Sequence, residues 1–215
     1  MQKITDATFV TLYSRHAPAV ELAEAQTRVF AHFGIPHTAV VVDTWTYGKT
    51  EALHDELIRD CQTYRMFMEI DALPLRPDLG NLIRQKIDDG RTLFGVAQQS
   101  NHIRVNGTAI HAYAGPACLG ITKQLYTDLG EPSFIPNARG DTAEEVTWRA
   151  EERGRTVALV YPADSDGAWP LHNGMRFGHG VTYDNLCYHA FGALHNPASR
   201  AAYLRKCEEV LGTSL

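Results

Sequence analysis

The strongest constraint on the fold is the alternation of strand-like and helix-like segments over the first half of the chain, joined by connections of only a few residues. ATFVTLYS (7–14) reads as a strand, rich in β-branched and aromatic residues. A helix is predicted from Pro18 to about Phe33, because proline is tolerated in a first helical turn and Gly34 suits the stop. HTAVVVD (37–43) is a second strand, and its unalternating aliphatic run is what a strand covered on both faces would show. EALHDELIRDC (51–61) is helical, with Leu53, Leu57, Ile58 and Cys61 on one face. RMFMEID (65–71) makes a third strand. Pro77 and Asp78 then open a helix that turns Leu79, Leu82, Ile83 and Ile87 inward and ends near Gly90. RTLFGVAQ (91–98) is a fourth strand. A βαβαβαβ order with short links implies an α/β fold of Rossmann type: a mostly parallel sheet flanked by helices.

The second half is less regular. Residues 99–117 read as loop-rich, with room for an edge strand around Ile110–Tyr113. TKQLYTDLG (122–130) is a short helix with a threonine cap and a glycine stop. DTAEEVTWRAEERG (141–154) is a helix capped by Asp141 or Thr142, its acids early and its arginines late. RTVALVYP (155–162) is a strand, and ADSDGAWPLHNGMRFGHG (163–180) an irregular loop. TYDNLCYHAFGALH (182–195) is expected to begin another helix or turn, and Asn196-Pro197 to start a last helix with Leu204, Cys207, Val210 and Leu211 on one face.

The chain has 215 residues, enough for a substantial core, and 44% of them are hydrophobic. Against 25 acids stand 20 Lys and Arg, a net charge of −5, which argues against bulk attraction to nucleic acid or anionic membrane. The four cysteines are scattered without a C-x-x-C pair, so a zinc cluster or disulfide framework is not expected. The N-terminus lacks a signal-type apolar core, and the longest aliphatic run, AVVV (39–42), is far too short to span a bilayer. The expected location is cytoplasmic.

The third strand ends in two carboxylates, Glu69 and Asp71. Ligands of open parallel sheets bind beyond the carboxyl ends of the strands. In an extended segment, residues two apart face the same way. Two acids held that close repel each other unless protons or a cation intervene. Mg²⁺ or Mn²⁺ shared with diphosphate oxygens would resolve the repulsion, while two ordinary loop acids remain the alternative.

The segment MEIDALPLRPDL (68–79), in which strand, acids, proline and helix follow in order, resembles the Asp-x-Asp segment of GT-A-type glycosyltransferases. The resemblance is one of pattern and order, from about residue 7 to 192. It differs at the first acid, where Glu69 stands for the usual Asp. It implies a single catalytic domain: a nucleotide-sugar-binding half (1–98), an acceptor-side half (99–195) and a C-terminal helix (196–215). It further implies a divalent metal, Mn²⁺ or Mg²⁺, held by Asp71, with Glu69 ligating or contacting the donor ribose or a metal-bound water. A third ligand would be a His from the C-terminal part, His189 first and His172 second. The donor would be a UDP- or GDP-sugar, and the acceptor a hydroxyl on a glycan, lipid, protein or modified nucleobase. Around the donor the resemblance places Tyr13 at the base, Arg15 and Lys49 near phosphate, Asp43 at base or ribose, and the amide of Gln98 near hydroxyls. Solvated or capping roles are the alternatives for Arg15, Asp43 and Lys49. The stretch AYAGPACLGITKQLYTDLG (112–130) would be a glycine-rich turn and a helix crossing under the acceptor site. Asp141 would be the general base of an inverting enzyme, with Glu144 and Glu145 as alternatives, although first-turn acids also arise from capping alone. The 169–180 loop would be a lid. Two other activities stay open. One is a nucleotidyltransferase making a nucleotide-sugar. The other is a non-catalytic nucleotide- or sugar-binding module.

Overall fold

The structure, a computed structural model, describes residues 4–42, 49–99, 104–105, 108–109, 111–165, 169–171 and 174–212. Asp43, Asn101, His102 and His172 lie outside the described residues, and so does the side chain of Lys49. The elements follow as β1 (Phe9–Ser14), α1 (Ala17–His32), β2 (His37–Val42), α2 (Lys49–Arg59), β3 (Tyr64–Met68), β4 (Ala72–Pro74), α3 (Leu79–Ile87) and β5 (Thr92–Gln99). A small ribbon, β6 (Arg104–Val105) and β7 (Thr108–Ala109), leads into β8 (Ala112–Thr122), α4 (Lys123–Asp128), α5 (Glu144–Glu152) and β9 (Thr156–Val160). The chain ends with β10 (Asp164–Ser165), β11 (Trp169–Pro170), β12 (Arg176–Phe177), β13 (Val181–Tyr183), β14 (Cys187–His189) and α6 (Pro197–Leu211).

The main sheet has the order β2-β1-β3-β8-β5-β9. Every neighbouring pair is parallel except those made by β8, which runs antiparallel between β3 and β5. Strand residues alternate between two cores. Phe9, Met66, Met68 and Phe94 join Ile83 and Ile87 of α3 on one face. Val10, Phe67, Leu93 and Leu119 join Ile58, Leu125 and Val146 of α2, α4 and α5 on the other. Helices thus cover both faces, as the alternation of elements implies, and α6 packs against α1. No helix among the described residues is long and apolar enough to cross a membrane.

β8 departs from the sequence reading. AYAGPACLGIT is a buried 11-residue strand in the middle of the sheet, where a glycine-rich turn was expected. Its small residues answer to contacts distant in sequence. A Cβ on Gly120 would come within 2.3 Å of Ile83 Cγ2, and one on Gly95 of β5 within 2.6 Å of Ala114 Cβ. These glycines let α3 and the neighbouring strand approach closely. Pro116 cannot donate to a ladder, and the β5–β8 register slips there: Gly95 faces Leu119 but Val96 faces Gly115. The irregularity sits beside the end of β3.

β2 is also not sandwiched as expected. It lies at the sheet edge, and all of its residues are partly exposed. The segment after residue 182, expected to begin a helix or turn, does turn, and the turn joins the two strands of a hairpin. Asp184 and Asn185 both adopt positive φ, 44° and 51°, and the Leu186 N–H donates to Tyr183 O at 2.7 Å. That is the backbone of a tight hairpin turn. The hairpin belongs to a second sheet, β10-β13-β14-β4, that lies beyond the end of β3.

Candidate active site

β3 stops at Met68, so Glu69 and Asp71 are not part of the strand. They lie in a turn closed by the Ala72 N–H donating to Glu69 O at 3.0 Å. Ile70 points inward, into the core between α1, α6 and the second sheet. The turn is clamped from outside. Gln26 of α1, fully buried, donates through Nε2 to Glu69 O at 2.7 Å and to Ala72 O at 2.6 Å. Tyr203 of α6 donates to Ala72 O at 3.3 Å. Asp71 is anchored at both ends: its Oδ2 accepts from the Ala193 N–H at 3.2 Å, and its carbonyl from the Ala190 N–H at 2.9 Å.

The second sheet delivers the third member. β14 pairs antiparallel with β4, and His189 sits opposite Ala72, one residue past Asp71. Its Nε2 is 3.4 Å from Glu69 Oε2 and 3.4 Å from Asp71 Oδ1. His189 is 1% exposed, and its Nε2 has no hydrogen-bond partner of good geometry. Glu69, Asp71 and His189 can each offer a ligand atom with all three within 4.8 Å of one another. A buried imidazole nitrogen 3.4 Å from each of two carboxylates is an arrangement that a shared cation would fit. Two carboxylates and one imidazole are a donor set that a divalent cation can use.

The electrostatics agree. Desolvation in the cavity, reinforced by the charges of Asp71 and Asp141, pushes Glu69 up to about 7, while His189 partly offsets this. For His189, burial opposes the charged form, but Asp71 and Glu69 outweigh it and the net shift is upward. The cluster therefore holds protons that a cation would displace.

The same cavity, about 350 Å³, reaches Gln98 on β5, Tyr113 and Pro116 on β8, and Asp141. Asp141 is presented by a turn built from within. The Asn137 and Gly140 backbones bridge each other. Ala143, not Asp141 or Thr142, is the residue that caps α5, and it holds φ of 65°. The Asp141 N–H donates to Glu144 Oε2 at 2.8 Å. Glu144 Oε1 lies 2.5 Å from His111 Nδ1. The His111 ring stacks on Trp148 at 3.6 Å between centroids, and its Nε2 lies 3.2 Å from Glu151 Oε2. Glu144, wholly buried, thus sits behind Asp141 as its support. Glu145 is outside the cavity. Arg139 and Arg149 hold it, and the Arg139 hydrogen bonds lower it to about 2.

Of the residues picked out in the sequence, Glu69, Asp71, Gln98, Asp141 and His189 come together around one cavity. Tyr13 does not join them; it lines a separate recess between α1 and α6. Arg15 is exposed on the connection from β1 to α1. The cavity also takes in Glu51, His54 and Tyr113, which the sequence did not single out, and His195, one of the C-terminal histidines. Tyr113 was hidden because the strand read there was a short one at a sheet edge, whereas β8 runs through the middle of the sheet. His54 stacks on Phe134 at 5.1 Å, a contact with no local sequence signature.

No family model matches the chain, and no curated protein does. Among solved structures, one similar chain is a "Putative Glucose-1-Phosphate Thymidylyltransferase" from Bacillus anthracis in complex with a sucrose. It has 11% identity and a TM-score of 0.40, over 72% of this chain and 86% of that one. At that level the likeness carries no argument about chemistry.

Proposed function

We propose that this protein is a divalent-cation-dependent glycosyltransferase that moves a sugar from a UDP- or GDP-sugar to a hydroxyl acceptor. The observation that carries this reading is the convergence of Glu69, Asp71 and His189, from a turn and a separate sheet, at the end of a central strand. These residues would hold Mn²⁺ or Mg²⁺. When bound, the cation supplies positive charge against the leaving diphosphate. Residues 1–98 would bind the nucleotide, with Arg15, Asp43 and Lys49 as contacts, and residues 99–195 would receive the acceptor. Asp141, across the same cavity, would take the proton of the attacking hydroxyl. Glu144 and His111 would keep Asp141 aimed. The 169–180 loop would exclude water, which would otherwise hydrolyse the donor.

The second reading is a nucleotidyltransferase making a nucleotide-sugar, the kind of activity in the printed name of the similar structure. It could use the same acids and the same cation. Between β1 and α1, however, lie only Arg15 and His16, without a glycine, where a triphosphate would want a longer loop of free N–H groups. One experiment separates the readings. UDP-sugars and GDP-sugars are incubated with Mn²⁺ and assayed for nucleoside diphosphate release. In parallel, sugar 1-phosphates with nucleoside triphosphates are assayed for pyrophosphate release. Diphosphate release supports the first reading. Pyrophosphate release alone installs the second, and neither, with nucleotide still bound, leaves a binding module.

A further inference from the structure

We infer that the β5–β8 side of the cavity recognises an uncharged, hydroxyl-rich acceptor, a neutral sugar, and that the Gln98 amide selects it. The inference rests on the glycosyltransferase reading and names its acceptor class.

Gln98 is 4% exposed and lines the cavity, yet its Nε2 has no hydrogen-bond partner. A buried amide donor left unmatched is unfavourable, so such a group calls for an acceptor atom from a ligand. Its orientation is set from behind. Tyr113 donates its hydroxyl to Gln98 Oε1 at 3.0 Å, which leaves the two Nε2 hydrogens as the amide's unmatched donors. Burial first, then the charges of Asp141, Glu144 and Glu69, hold the Tyr113 phenol well above its ordinary range, so it keeps the proton it donates. The arrangement also needs a glycine opposite. A Cβ on Gly115 would fall 2.3 Å from Gln98 Cδ. The Tyr113–Gln98–Gly115 unit therefore holds the amide in one pose at the wall of the cavity that also reaches Asp141.

The charge of the surroundings narrows the ligand. The described lining residues include the carboxylates Glu51, Glu69, Asp71 and Asp141 and no Arg or Lys. A cation between Glu69, Asp71 and His189 would be engaged with the donor diphosphate, which leaves Asp141 to repel a phosphate or carboxylate on an acceptor. A neutral hydroxyl meets no such penalty. It can accept from Gln98 Nε2 while a neighbouring hydroxyl donates to Asp141. The rim adds an apolar wall. Phe191 is 38% exposed, its ring edge-on to His189 at 5.6 Å, and it suits the C–H face of a sugar ring.

The test is ligand-observed NMR on the full chain loaded with Mg²⁺ and UDP, or GDP if that nucleotide binds. The probes are methyl glucosides, methyl galactosides, lactose and maltose, set against glucose 6-phosphate and methyl glucuronide. At least one neutral probe should bind, with the anionic probes about tenfold weaker or worse. Gln98→Leu should weaken the neutral probe about tenfold, the scale of one hydrogen bond. The near-isosteric Gln98→Met, which keeps the length of the side chain without its amide, should do the same. Thermal melts identify any variant that fails to fold, and the other then decides. Anionic probes binding as tightly as neutral ones would overturn the inference. So would neutral probes binding both variants as they bind the wild type, or no neutral probe binding at all. Failure of the underlying reading looks different: UDP and GDP binding to the wild-type protein would then be indifferent to Mg²⁺ and Mn²⁺.

Discussion

Two turns present carboxylates to one cavity, and they are held in opposite ways. The turn at residues 69–72 is fixed from outside, by Gln26 of α1, Tyr203 of α6 and the β14 strand. The turn that carries Asp141 is fixed largely from its own neighbourhood, by the Asn137–Gly140 bridge and by Glu144 reaching back to the Asp141 N–H. The difference teaches where each function is vulnerable. The proposed cation cluster depends on packing between elements far apart in sequence. The proposed base depends on a short stretch and one buried imidazole, His111.

That contrast can be broken by substitution. The largest effect is expected for Asp141→Asn: loss of the base should lower transfer on the order of 10²- to 10⁴-fold. Steady-state rates measured beside calorimetry should show cation-dependent nucleotide binding retained. Asp71→Asn should do the reverse. Removing a ligand should weaken Mn²⁺ binding on the order of 100-fold, at least the upper end of what outer-shell changes cost, read by isothermal titration. Equal loss of cation affinity in both variants would erase the division between the turns.

Smaller effects sharpen it. Gln26→Leu removes one of two donors from each of the Glu69 and Ala72 carbonyls, so stability should fall by about 1–3 kcal/mol, the net worth of two hydrogen bonds, with cation affinity about tenfold weaker. Glu144→Gln should cost a similar stability of about 1–3 kcal/mol but leave cation affinity alone, because its partners are His111 and Asp141. Chemical denaturation with paired Mn²⁺ titrations checks both.

The smallest effect is with pH. Glu69 is raised from 4.5 to about 7, so between those values the folded chain holds a proton that the unfolded chain has released. Stability of the cation-free protein therefore falls as pH rises through that window. His189, raised from 6.5, contributes stability present below 6.5 and lost as pH rises through its folded value, the same sign. Melting temperature without metal should decline from about pH 5 to pH 8, and saturating Mn²⁺ should flatten or reverse the slope. A metal-free melting temperature that rises over this window would contradict the crowded cluster.

Much of the fold was legible where the sequence is locally periodic. β1, α1 and β5 lie within two residues of where propensity and stop signals put them, and α3 begins where expected but ends at Ile87, three residues before Gly90. β8 was illegible because its small residues are dictated by Ile83 and Gln98, not by its neighbours in sequence. In the β13–β14 hairpin the turn was expected but its two strands were not. Asp184-Asn185 was the available signal, two residues tolerant of positive φ between strand-forming runs. At the site, the acids were visible as a pair, but their extended geometry was not correct. A turn and a hairpin register bring Glu69, Asp71 and His189 together. No local pattern encodes that register, nor the supporting place of Glu144 behind Asp141.

The most direct measurement is the binding of Mn²⁺ itself, by electron paramagnetic resonance, to the wild-type chain and to His189→Ala in the presence of UDP or GDP. The expected result is a bound-Mn²⁺ signal in the wild type that is lost or at least about tenfold weaker in the variant, with the fold intact by circular dichroism. Equal Mn²⁺ binding by wild type and His189→Ala, or none by either, would contradict a cation held between Glu69, Asp71 and His189.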